Sequence, residues 1–486
     1  MSGAPASILW FRQDLRLADN PALHAALQRG GPVIPLYIEC SAEEGEWPAG
    51  GASRWWLHHS LTALDADLRQ RGSRLTWRRG HALETVLALC RETGADAVYW
   101  NRRYEPAAMA RDASLKEALR TQGKVAESRN GALLVEPWQI ATQSGGPFQV
   151  FTPYWRRLLT GLAPPEPQAA PDQLPAPEVW PESLPPSALE LLPRFNWYGS
   201  VAAAWEPGEA GATRCLQQFV AAGLKSYADS RDRPAIHGTS RLSPFLHHGE
   251  LSPRQVWHAV LRGATGFGLT GTEARTSKFL AELIWREFSS HLLYHFPQTP
   301  TTPLRKAFTS FPWRDDAPAL LAWQRGRTGV PLVDAGMREL WATGWMHNRV
   351  RMIAASFLVK NLRLPWLSGA RWFWDTLVDA DLASNTQGWQ WVAGCGADAA
   401  PYFRVFNPVT QSKRFDPQGE YLRRWLPELA RLEDRHLHAP WLAPPEQLAT
   451  AGVQLGRDYP FPIVDLQQSR SAALTAFQEM RAGNKC

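Results

Sequence analysis

The sequence predicts an α/β protein in which a parallel-sheet domain is followed by a second, almost entirely helical domain. Short apolar runs alternate with segments of helical period near the N-terminus, a proline-dense segment follows, and helical periodicity dominates the remainder of the 486 residues. We therefore expect residues 1–135 to form the α/β domain, 136–200 an interdomain connector and 201–486 the helical domain.

The N-terminal domain is predicted from four strand-like runs, at 8–11, 33–38, 75–77 and 97–100, with helical segments such as 22–27 and 56–68 between them. This alternation favours a parallel sheet. The domain lacks GxGxxG after its first strand, and GxxxxGK[ST] is absent from the whole chain. Neither standard phosphate-binding loop is therefore expected.

The connector is densest in proline at 163–193, which disfavours helix and central strand and favours an extended, surface-running segment. From about Thr213 onward the periodicity is helical, with proline and glycine as punctuation. Alternating strands are not predicted there.

The composition, with 20% charged and 44% apolar residues, is that of a soluble globular protein. No apolar run is long enough for a membrane span, and the N-terminus lacks the features of a signal peptide. The five scattered cysteines indicate neither a disulfide framework nor a zinc site. We expect a cytoplasmic protein without membrane association. A net charge of +6 permits nucleic-acid binding but is weak support for it.

Tryptophan is unusually abundant, with 24 residues. Aliphatic side chains fill a core without an indole N–H that needs a partner. We therefore expect some of these rings to serve in stacking or electron transfer, although core packing remains the alternative for each one.

A hydroxyl-rich segment, Gly238-Thr239-Ser240-Arg241-Leu242-Ser243-Pro244, lies where a loop is predicted to enter a helix. Backbone N–H groups, the positive end of the helix dipole and the Arg241 side chain suit a diphosphate. In the alternative interpretation, Ser240 or Ser243 only caps the helix.

One face of a later predicted helix carries Glu282, Trp285 and Arg286. The carboxylate can hydrogen-bond a base edge, the indole can stack on the base, and the guanidinium can hold a phosphate or ribose. These groups suit a flipped nucleotide or a flavin. The alternative is a surface pair of Glu282 with Arg286 beside a core tryptophan.

Residues 341–374 contain no acidic side chain, and basic residues are interleaved there with five tryptophans. This pattern favours a surface that binds a nucleic-acid strand. Asn348 and Met352 are spaced i, i+4 with Arg351 beside them, so an amide, a soft apolar group and a cation can face one pocket. A solvated basic helix is the alternative.

Two carboxylates, an amide and two indoles follow within thirteen positions, as Asp379, Asp381, Asn385, Trp389 and Trp391. No histidine or third carboxylate lies nearby in sequence, so we expect no metal. A partner for Arg351 and acceptors for ribose or flavin N–H groups are better roles for the carboxylates.

Several of these segments closely resemble the DNA photolyase and cryptochrome family, and most of all its members that repair cyclobutane pyrimidine dimers. The resemblance runs nearly end to end and is carried by WFRQDLRLADNPAL, GTSRLSPFL, ELIWREF, GWMHNRVRMIAASFLVK, DADLASNTQGWQW and DAAPYFRVFNP. It implies a Rossmann-like α/β antenna domain and an all-helical domain that holds FAD in a U-shaped conformation. Such an FAD site needs no Rossmann fingerprint.

The resemblance implies FAD contacts from Tyr227, Thr239, Ser240, Arg241, Leu242, Ser243, Phe279, Arg286, Asn348, Arg351, Asp379, Ala380, Asp381 and Asn385. Arg351 would pair with Asp379 near the flavin. Phe279 stands where relatives often have tryptophan near the adenine and flavin, and it retains the aromatic character of that position.

The resemblance also implies a lesion and DNA site formed by Arg231, Glu282, Trp285, Asn348, Arg349, Met352, Trp391 and Gln411. Excited reduced FAD would donate an electron to the flipped-out dimer and regain it after the ring splits. Glu282, Asn348 and Asn385 are the expected catalytic residues, and Glu282 would stabilise the dimer radical anion. Trp389, Trp366 and Trp313 match the family's electron-transfer chain, from the flavin to the surface.

Three features bear on the subgroup. Met352 stands where (6-4) photolyases place a catalytic histidine, and Asn385 stands where plant cryptochromes carry an aspartate beside flavin N5. The chain also stops soon after a predicted helical segment at 474–480, without a long C-terminal tail. All three favour dimer repair over the alternatives, a cryptochrome-type blue-light photoreceptor and a (6-4) photolyase.

The antenna chromophore stays open in the sequence. The stretch from Tyr104 to Ala108 lacks the Asn-Glu pair that holds methenyltetrahydrofolate in one photolyase subgroup, because Ala107 and Ala108 replace it. Folate bound differently is favoured over a deazaflavin or an empty site. The expected partner is UV-damaged DNA, bound by a monomer that is nucleoid-associated when it holds DNA.

Overall fold

The computed structural model describes residues 4–399 and 403–483. Its contacts divide the chain into two compact units. Unit 1 comprises residues 1–225, 240–297 and 378–382, and unit 2 comprises 226–239, 298–377 and 383–486. Within the described residues, no helix is long and apolar enough to cross a membrane.

Unit 1 contains a five-stranded parallel sheet of order β3-β2-β1-β4-β5. The strands are β1 Ser7–Phe11, β2 Val33–Glu39, β3 Thr76–Arg79, β4 Ala97–Asn101 and β5 Val125–Arg129. Every residue of β1 is buried, because helices cover both faces of a parallel sheet. Leu9 and Phe11 face one core, and Ile8 and Trp10 face the other.

The helices of the described residues are α1 Pro21–Arg29, α2 Gly51–Gln70, α3 Ala82–Thr93, α4 Pro106–Thr121, α5 Phe151–Gly161, α6 Gly199–Ala204, α7 Glu209–Gln218, α8 Tyr227–Ser230, α9 Ser243–His248, α10 Pro253–Gly266, α11 Gly271–Arg275, α12 Lys278–His295, α13 Ala317–Gln324, α14 Pro331–Thr343, α15 Asn348–Ser356, α16 Trp366–Thr376, α17 Leu382–Ala393, α18 Pro408–Phe415, α19 Glu420–Trp425, α20 Asp434–Leu437, α21 Pro445–Ala451 and α22 Leu466–Gly483.

The predicted fold class is confirmed: a Rossmann-like parallel sheet comes first, and the described residues after 213 contain helices and no strand. Strand β5 was not predicted from the sequence. Among the described residues it pairs only with β4, at the edge of the sheet, and three of its five residues are polar, so it forms no apolar run. The connector predicted at 136–200 contains α5, while residues 163–185 form no helix or strand.

Unit 2 is helical, and aromatic rings pack in its core together with aliphatic side chains. Trp323 on α13 is fully buried, and its Nε1 donates a hydrogen bond of 3.0 Å to the carbonyl of Ala354 on α15. The indole therefore fills the core and satisfies its own polar group. Its ring also contacts Phe373 on α16 and Trp389 on α17, with ring centroids 5.8 Å and 6.2 Å away.

Candidate flavin and lesion site

In unit 1, the hydroxyl-rich loop leads into α9, which begins at Ser243 as predicted. Arg241 has a positive φ of 53°, which a non-glycine residue adopts only when the surrounding structure imposes it. Its guanidinium lies 4.0 Å above the Trp205 ring. The Ser240 carbonyl accepts a hydrogen bond from Cys215 Sγ at 3.2 Å. The loop is thus held in an unusual backbone conformation.

The segment 378–382 lies against the same helix. Ser243 Oγ donates a hydrogen bond of 2.6 Å to Asp379 Oδ2, and His248 Nε2 lies 3.1 Å from the Val378 carbonyl. His247 Nδ1 lies 4.0 Å from Asp381 Oδ2, and burial lowers the pKa of His247 to about 3. His247 is therefore neutral. The Ser243 hydroxyl and the Asp379 carboxylate, from two of the predicted motifs, are in direct contact here.

Helix α12 carries Glu282, Trp285 and Arg286. The Trp285 ring stacks on Phe151 of α5, with centroids 3.8 Å apart and planes 6° from parallel. Glu282 Oε1 lies 3.7 Å from Lys278 Nζ, one turn earlier. Arg286 donates a hydrogen bond of 2.7 Å to the Ala132 carbonyl. Within the described residues, Glu282 and Arg286 therefore do not form the surface pair that was the alternative prediction.

Phe279, the residue that departs from the family pattern, is buried near the start of α12. Its ring centroid lies 4.5 Å from that of Phe219. Farther along, Glu287 is fully buried and accepts a hydrogen bond of 2.8 Å from the Leu134 backbone N–H. Burial raises the pKa of Glu287 to about 7. Helix α12 is thus anchored on the side that bears Arg286 and Glu287.

In unit 2, the start of α15 gathers the predicted lesion residues. His347 caps the helix, because its Nδ1 accepts a hydrogen bond of 3.2 Å from the Arg349 backbone N–H. Asn348 Nδ2 and Arg349 Nη1 each lie 4.0 Å from Met352 Sδ. Arg351 Nε donates a hydrogen bond of 2.7 Å to the Met346 carbonyl. The Asn348 amide and the Met352 thioether are therefore neighbours, as the helical spacing predicted, but the guanidinium beside Met352 is that of Arg349, whereas the prediction named Arg351.

Two other predicted DNA residues of unit 2, Arg231 and Gln411, lie outside α15. Arg231 follows α8, and its guanidinium lies 5.6 Å above the ring of Tyr227. Gln411 lies on α18, whose last residue is Phe415. The Arg349 guanidinium lies 4.6 Å above the Phe415 ring, so α15 and α18 are in contact through this stack.

Trp389 is buried beside α16. A Cβ atom added to Gly369 would lie 2.1 Å from the Trp389 ring, so only glycine permits this approach. The edge of the Trp389 ring faces Phe373, with centroids 5.0 Å apart. Nearby, Asn385 Nδ2 donates a hydrogen bond of 3.1 Å to the Ala370 carbonyl. Helices α16 and α17 therefore pack closely at the residues that carry the predicted chemistry.

The two other predicted electron-transfer residues lie elsewhere in unit 2. Trp366 is buried at the start of α16, and Trp313 is partly exposed, with its ring centroid 4.4 Å from that of Phe311. Among the described residues, Trp313, Trp366 and Trp389 make no direct ring contact with one another. Any transfer among them would cross intervening side chains or space.

Comparison with known proteins gives one consistent family. Residues 7–177 match a family model described as DNA photolyase, and 279–479 match the FAD binding domain of DNA photolyase. A deoxyribodipyrimidine photo-lyase from Agrobacterium fabrum is 50% identical over 475 residues, covering 98% of each chain. This chain belongs to the DNA photolyase and cryptochrome family.

Two further members show the breadth of the family. The crystal structure of a bacterial class III photolyase from Agrobacterium tumefaciens superposes with a TM-score of 0.95 at 49% identity, covering 99% of this chain and 98% of that one. Cryptochrome-1 from Arabidopsis thaliana is 41% identical over 479 residues, covering 98% of this chain and 70% of its own. Proteins named as photolyases and as cryptochromes are therefore both relatives.

The donor chemistry of the photolyase motifs fits FAD. Ser240 in the loop before α9 and Ser243 at the first position of α9 carry hydroxyls that can donate to phosphate oxygens. Asp379 and Asp381 supply carboxylates that can accept from ribose hydroxyls or flavin N–H groups. By itself, unit 2 carries the amides of Asn348 and Asn385 and the Arg351 guanidinium, which the same motifs predict as FAD contacts.

Two side chains that hold other residues in place were assigned no role from the sequence. Asp232 accepts a hydrogen bond of 2.8 Å from Arg349 Nη2, and its only sequence signal is a carboxylate flanked by Arg231 and Arg233. Gln390 lies between the predicted Trp389 and Trp391, and its amide holds the loop at 299–304. An amide between two tryptophans with predicted roles was the available signal in the sequence.

Proposed function

We propose that this protein is a deoxyribodipyrimidine photo-lyase that repairs cyclobutane pyrimidine dimers in DNA with blue light and FAD. The observation that carries the substrate assignment is the group at the start of α15. There Met352 Sδ lies 4.0 Å from Asn348 Nδ2, so a thioether stands where a (6-4) photolyase needs an acid. A thioether cannot donate a proton, whereas dimer splitting needs none from that position.

The FAD contacts are assigned by motif. They are Tyr227, Thr239, Ser240, Arg241, Leu242, Ser243, Phe279, Arg286, Asn348, Arg351, Asp379, Ala380, Asp381 and Asn385. The hydrogen bond between Ser243 and Asp379 supports this assignment, since it brings two of the motifs together. Reduced FAD, when bound and excited, supplies the electron that opens the cyclobutane ring and accepts it back afterwards.

The residues of the chain bind and orient the lesion. A dimer is poorly stacked in the duplex, so extruding it costs less than the few kcal/mol that an ordinary base requires. Trp285, held flat against Phe151, and Trp391 offer rings on which the extruded bases can stack. Glu282 and Asn348 hydrogen-bond the dimer carbonyl region, and Glu282 stabilises the added negative charge. Arg231 and Gln411 contact the DNA backbone.

Reduction of oxidised FAD is a separate task, and we assign it to Trp389, Trp366 and Trp313. The buried Trp389 is the member proposed nearest the flavin, and the partly exposed Trp313 is the member at the surface. An exposed terminal ring can be re-reduced from solution, which leaves the electron with the cofactor.

A cryptochrome-type photoreceptor is the second candidate, because Cryptochrome-1 of Arabidopsis is 41% identical over nearly this whole chain. Asn385 argues against it. A neutral amide beside flavin N5 has no proton to give, and its Nδ2 is directed to the Ala370 carbonyl. This environment favours retention of the fully reduced cofactor, which repair requires.

An antenna chromophore in the N-terminal domain would extend light capture. Methenyltetrahydrofolate is our first candidate, and a deazaflavin or an empty site are the alternatives. Release of the chromophores with denaturant, followed by absorbance and mass measurements, distinguishes a folate from a deazaflavin and from FAD alone.

The test of the proposed function is repair of a single-stranded oligonucleotide that carries one thymine dimer. Anaerobically reduced protein under blue light should restore the thymines, and the same sample in darkness should not. Bound, reduced FAD without restoration of thymines would favour the photoreceptor, and the (6-4) lesion would then be the next substrate to assay.

A further inference from the structure

A carboxylate stands among the arginines that are proposed to contact DNA. Asp232 Oδ1 accepts a hydrogen bond of 2.8 Å from Arg349 Nη2, and the same oxygen lies 3.7 Å from Arg231 Nε. All three residues belong to unit 2. A carboxylate beside phosphates lowers affinity for any DNA, because like charges repel. Its presence therefore calls for a role other than general DNA affinity.

The Arg349 side chain depends on this carboxylate for its orientation. Among the described residues, Asp232 supplies the one oxygen that accepts from its guanidinium, because Nη1 faces Met352 Sδ and Nε is buried without a hydrogen bond. The plane rests on Phe415, 4.6 Å from the ring centroid. The Arg349 side chain is only 19% exposed. Asp232 thus holds one edge of the guanidinium, and Phe415 packs against one of its faces.

The same contacts connect three of the unit 2 residues that are proposed to contact DNA or the lesion, Arg231, Arg349 and Gln411. Asp232 lies next to Arg231 in sequence, and Phe415 ends the helix that carries Gln411. Arg349 contacts both Asp232 and Phe415. It therefore links the backbone at Arg231 to the helix that carries Gln411. A guanidinium with a fixed direction recognises a fixed arrangement of acceptors, whereas a free one follows any phosphate.

We propose that Asp232 is a positioning residue that makes DNA binding specific for the lesion. It holds the Arg349 guanidinium in one orientation, and its negative charge weakens binding to undamaged DNA. Both effects raise the ratio of affinities for damaged and undamaged strands, and the second is a repulsive element of the kind that specific interfaces use. The inference rests on the proposed function, since it presupposes that Arg349 faces the lesion.

The test compares four variants with wild type. Asp232→Ala removes the carboxylate, Asp232→Asn keeps its volume and one acceptor oxygen, and Asp232→Glu keeps its charge. The matched control is Asp229→Ala, which changes the net charge equally at an exposed position of α8, three residues away. Binding is measured by fluorescence anisotropy at several salt concentrations, with one oligonucleotide that carries a dimer and one that does not.

For Asp232→Ala, the ratio of affinities for damaged and undamaged DNA should fall roughly threefold to tenfold, the range expected for one partly exposed charge pair that orients a recognition group. The variant should bind undamaged DNA at least as tightly as wild type does. Its affinity should fall more steeply with salt concentration, by up to about one additional phosphate contact. Asp232→Glu should recover much of the ratio, and Asp232→Asn should lie between. The number of dimers split per absorbed photon at saturating DNA should not change.

A ratio that stays within twofold of wild type in both Asp232→Ala and Asp232→Asn would overturn the inference, as would an equal loss of affinity for both DNAs with loss of FAD. If the affinity ratio fell equally in Asp229→Ala, net charge alone would explain the effect, and the inference would also be overturned. Wild type that binds both oligonucleotides equally and restores no thymines would instead contradict the proposed function. The two failures are thereby distinguishable.

Discussion

Gln390 Nε2 donates a hydrogen bond of 2.7 Å to the backbone carbonyl of Thr299. The same amide group donates to the Thr302 carbonyl at 2.9 Å, and its oxygen accepts from the Leu304 N–H at 2.9 Å. Gln390 is only 2% exposed. One side chain therefore satisfies three backbone groups of a loop, and its neighbours on α17 are Trp389, proposed for electron transfer, and Trp391, proposed for lesion binding.

Gln390→Ala should destabilise the protein by about 2–4 kcal/mol, because three buried backbone groups lose their partners. Thermal unfolding of the FAD-bound protein measures this change. Gln387→Ala, a partly exposed amide on the same helix, is the matched control and should have little effect. Equal unfolding temperatures of the two variants would contradict the anchoring role of Gln390.

Glu250 is expected to make stability depend on pH. The residue is fully buried, accepts hydrogen bonds from the Gly208 N–H and Trp56 Nε1, and has a pKa raised by burial from 4.5 to about 8. The unfolded chain loses this proton at lower pH than the native protein does. The contribution of Glu250 to stability therefore declines as pH rises from about 4.5 to about 8.

Glu250→Gln should remove that decline, since an amide does not ionise. Relative to wild type, the variant should gain stability between pH 5 and pH 8, on the order of 2 kcal/mol or more at the upper end. Denaturant unfolding across this range measures the difference, with Glu178→Gln in the exposed connector as control. A difference that does not vary with pH would show that Glu250 is already ionised in the native state.

Glu282→Ala should slow dimer splitting while FAD remains bound. The carboxylate is proposed to interact with the dimer, so its loss should lower the splitting rate about tenfold or more, as for loss of one stabilising group at developing charge. Transient absorption on prereduced protein gives the rate, and the flavin-to-protein ratio checks the cofactor. Loss of FAD from this variant would move Glu282 from the lesion to the cofactor site.

Trp313→Phe should impair photoreduction of oxidised FAD and leave repair by prereduced protein unchanged. Phenylalanine retains the packing against Phe311 but is far harder to oxidise than an indole. The loss of oxidised-flavin absorbance under blue light with an external reductant measures the effect. Trp425→Phe, in the same unit, is the control. Photoreduction at the wild-type rate in Trp313→Phe would exclude it as the surface member of the chain.

The sequence predicted most of the fold because apolar period and proline density report directly on buried strands and helices. It missed β5, since an edge strand buries too little to leave an apolar run. At the site, the i, i+4 spacing correctly placed Asn348 beside Met352. The spacing also suggested a Glu282–Arg286 pair as an alternative, but Arg286 donates to the Ala132 carbonyl, a partner 154 residues away.

The contacts that sequence reasoning could not reach are between positions distant along the chain. Asp232 and Arg349 are 117 residues apart, and Gln390 and Thr299 are 91 apart. No periodicity relates such positions, since tertiary packing alone brings them together. The family motifs predict which residues touch cofactor and lesion, whereas the side chains that hold those residues in place lay outside the motifs or had no role assigned.

Dimer repair itself is tested most directly by a parallel assay of two lesions. Prereduced protein is illuminated with blue light in the presence of an oligonucleotide that carries either a thymine cyclobutane dimer or a (6-4) photoproduct, with dark controls. The account predicts light-dependent restoration of thymines from the cyclobutane dimer and no restoration from the (6-4) photoproduct. Repair of the (6-4) photoproduct, or of neither lesion by protein that carries reduced FAD, would contradict it.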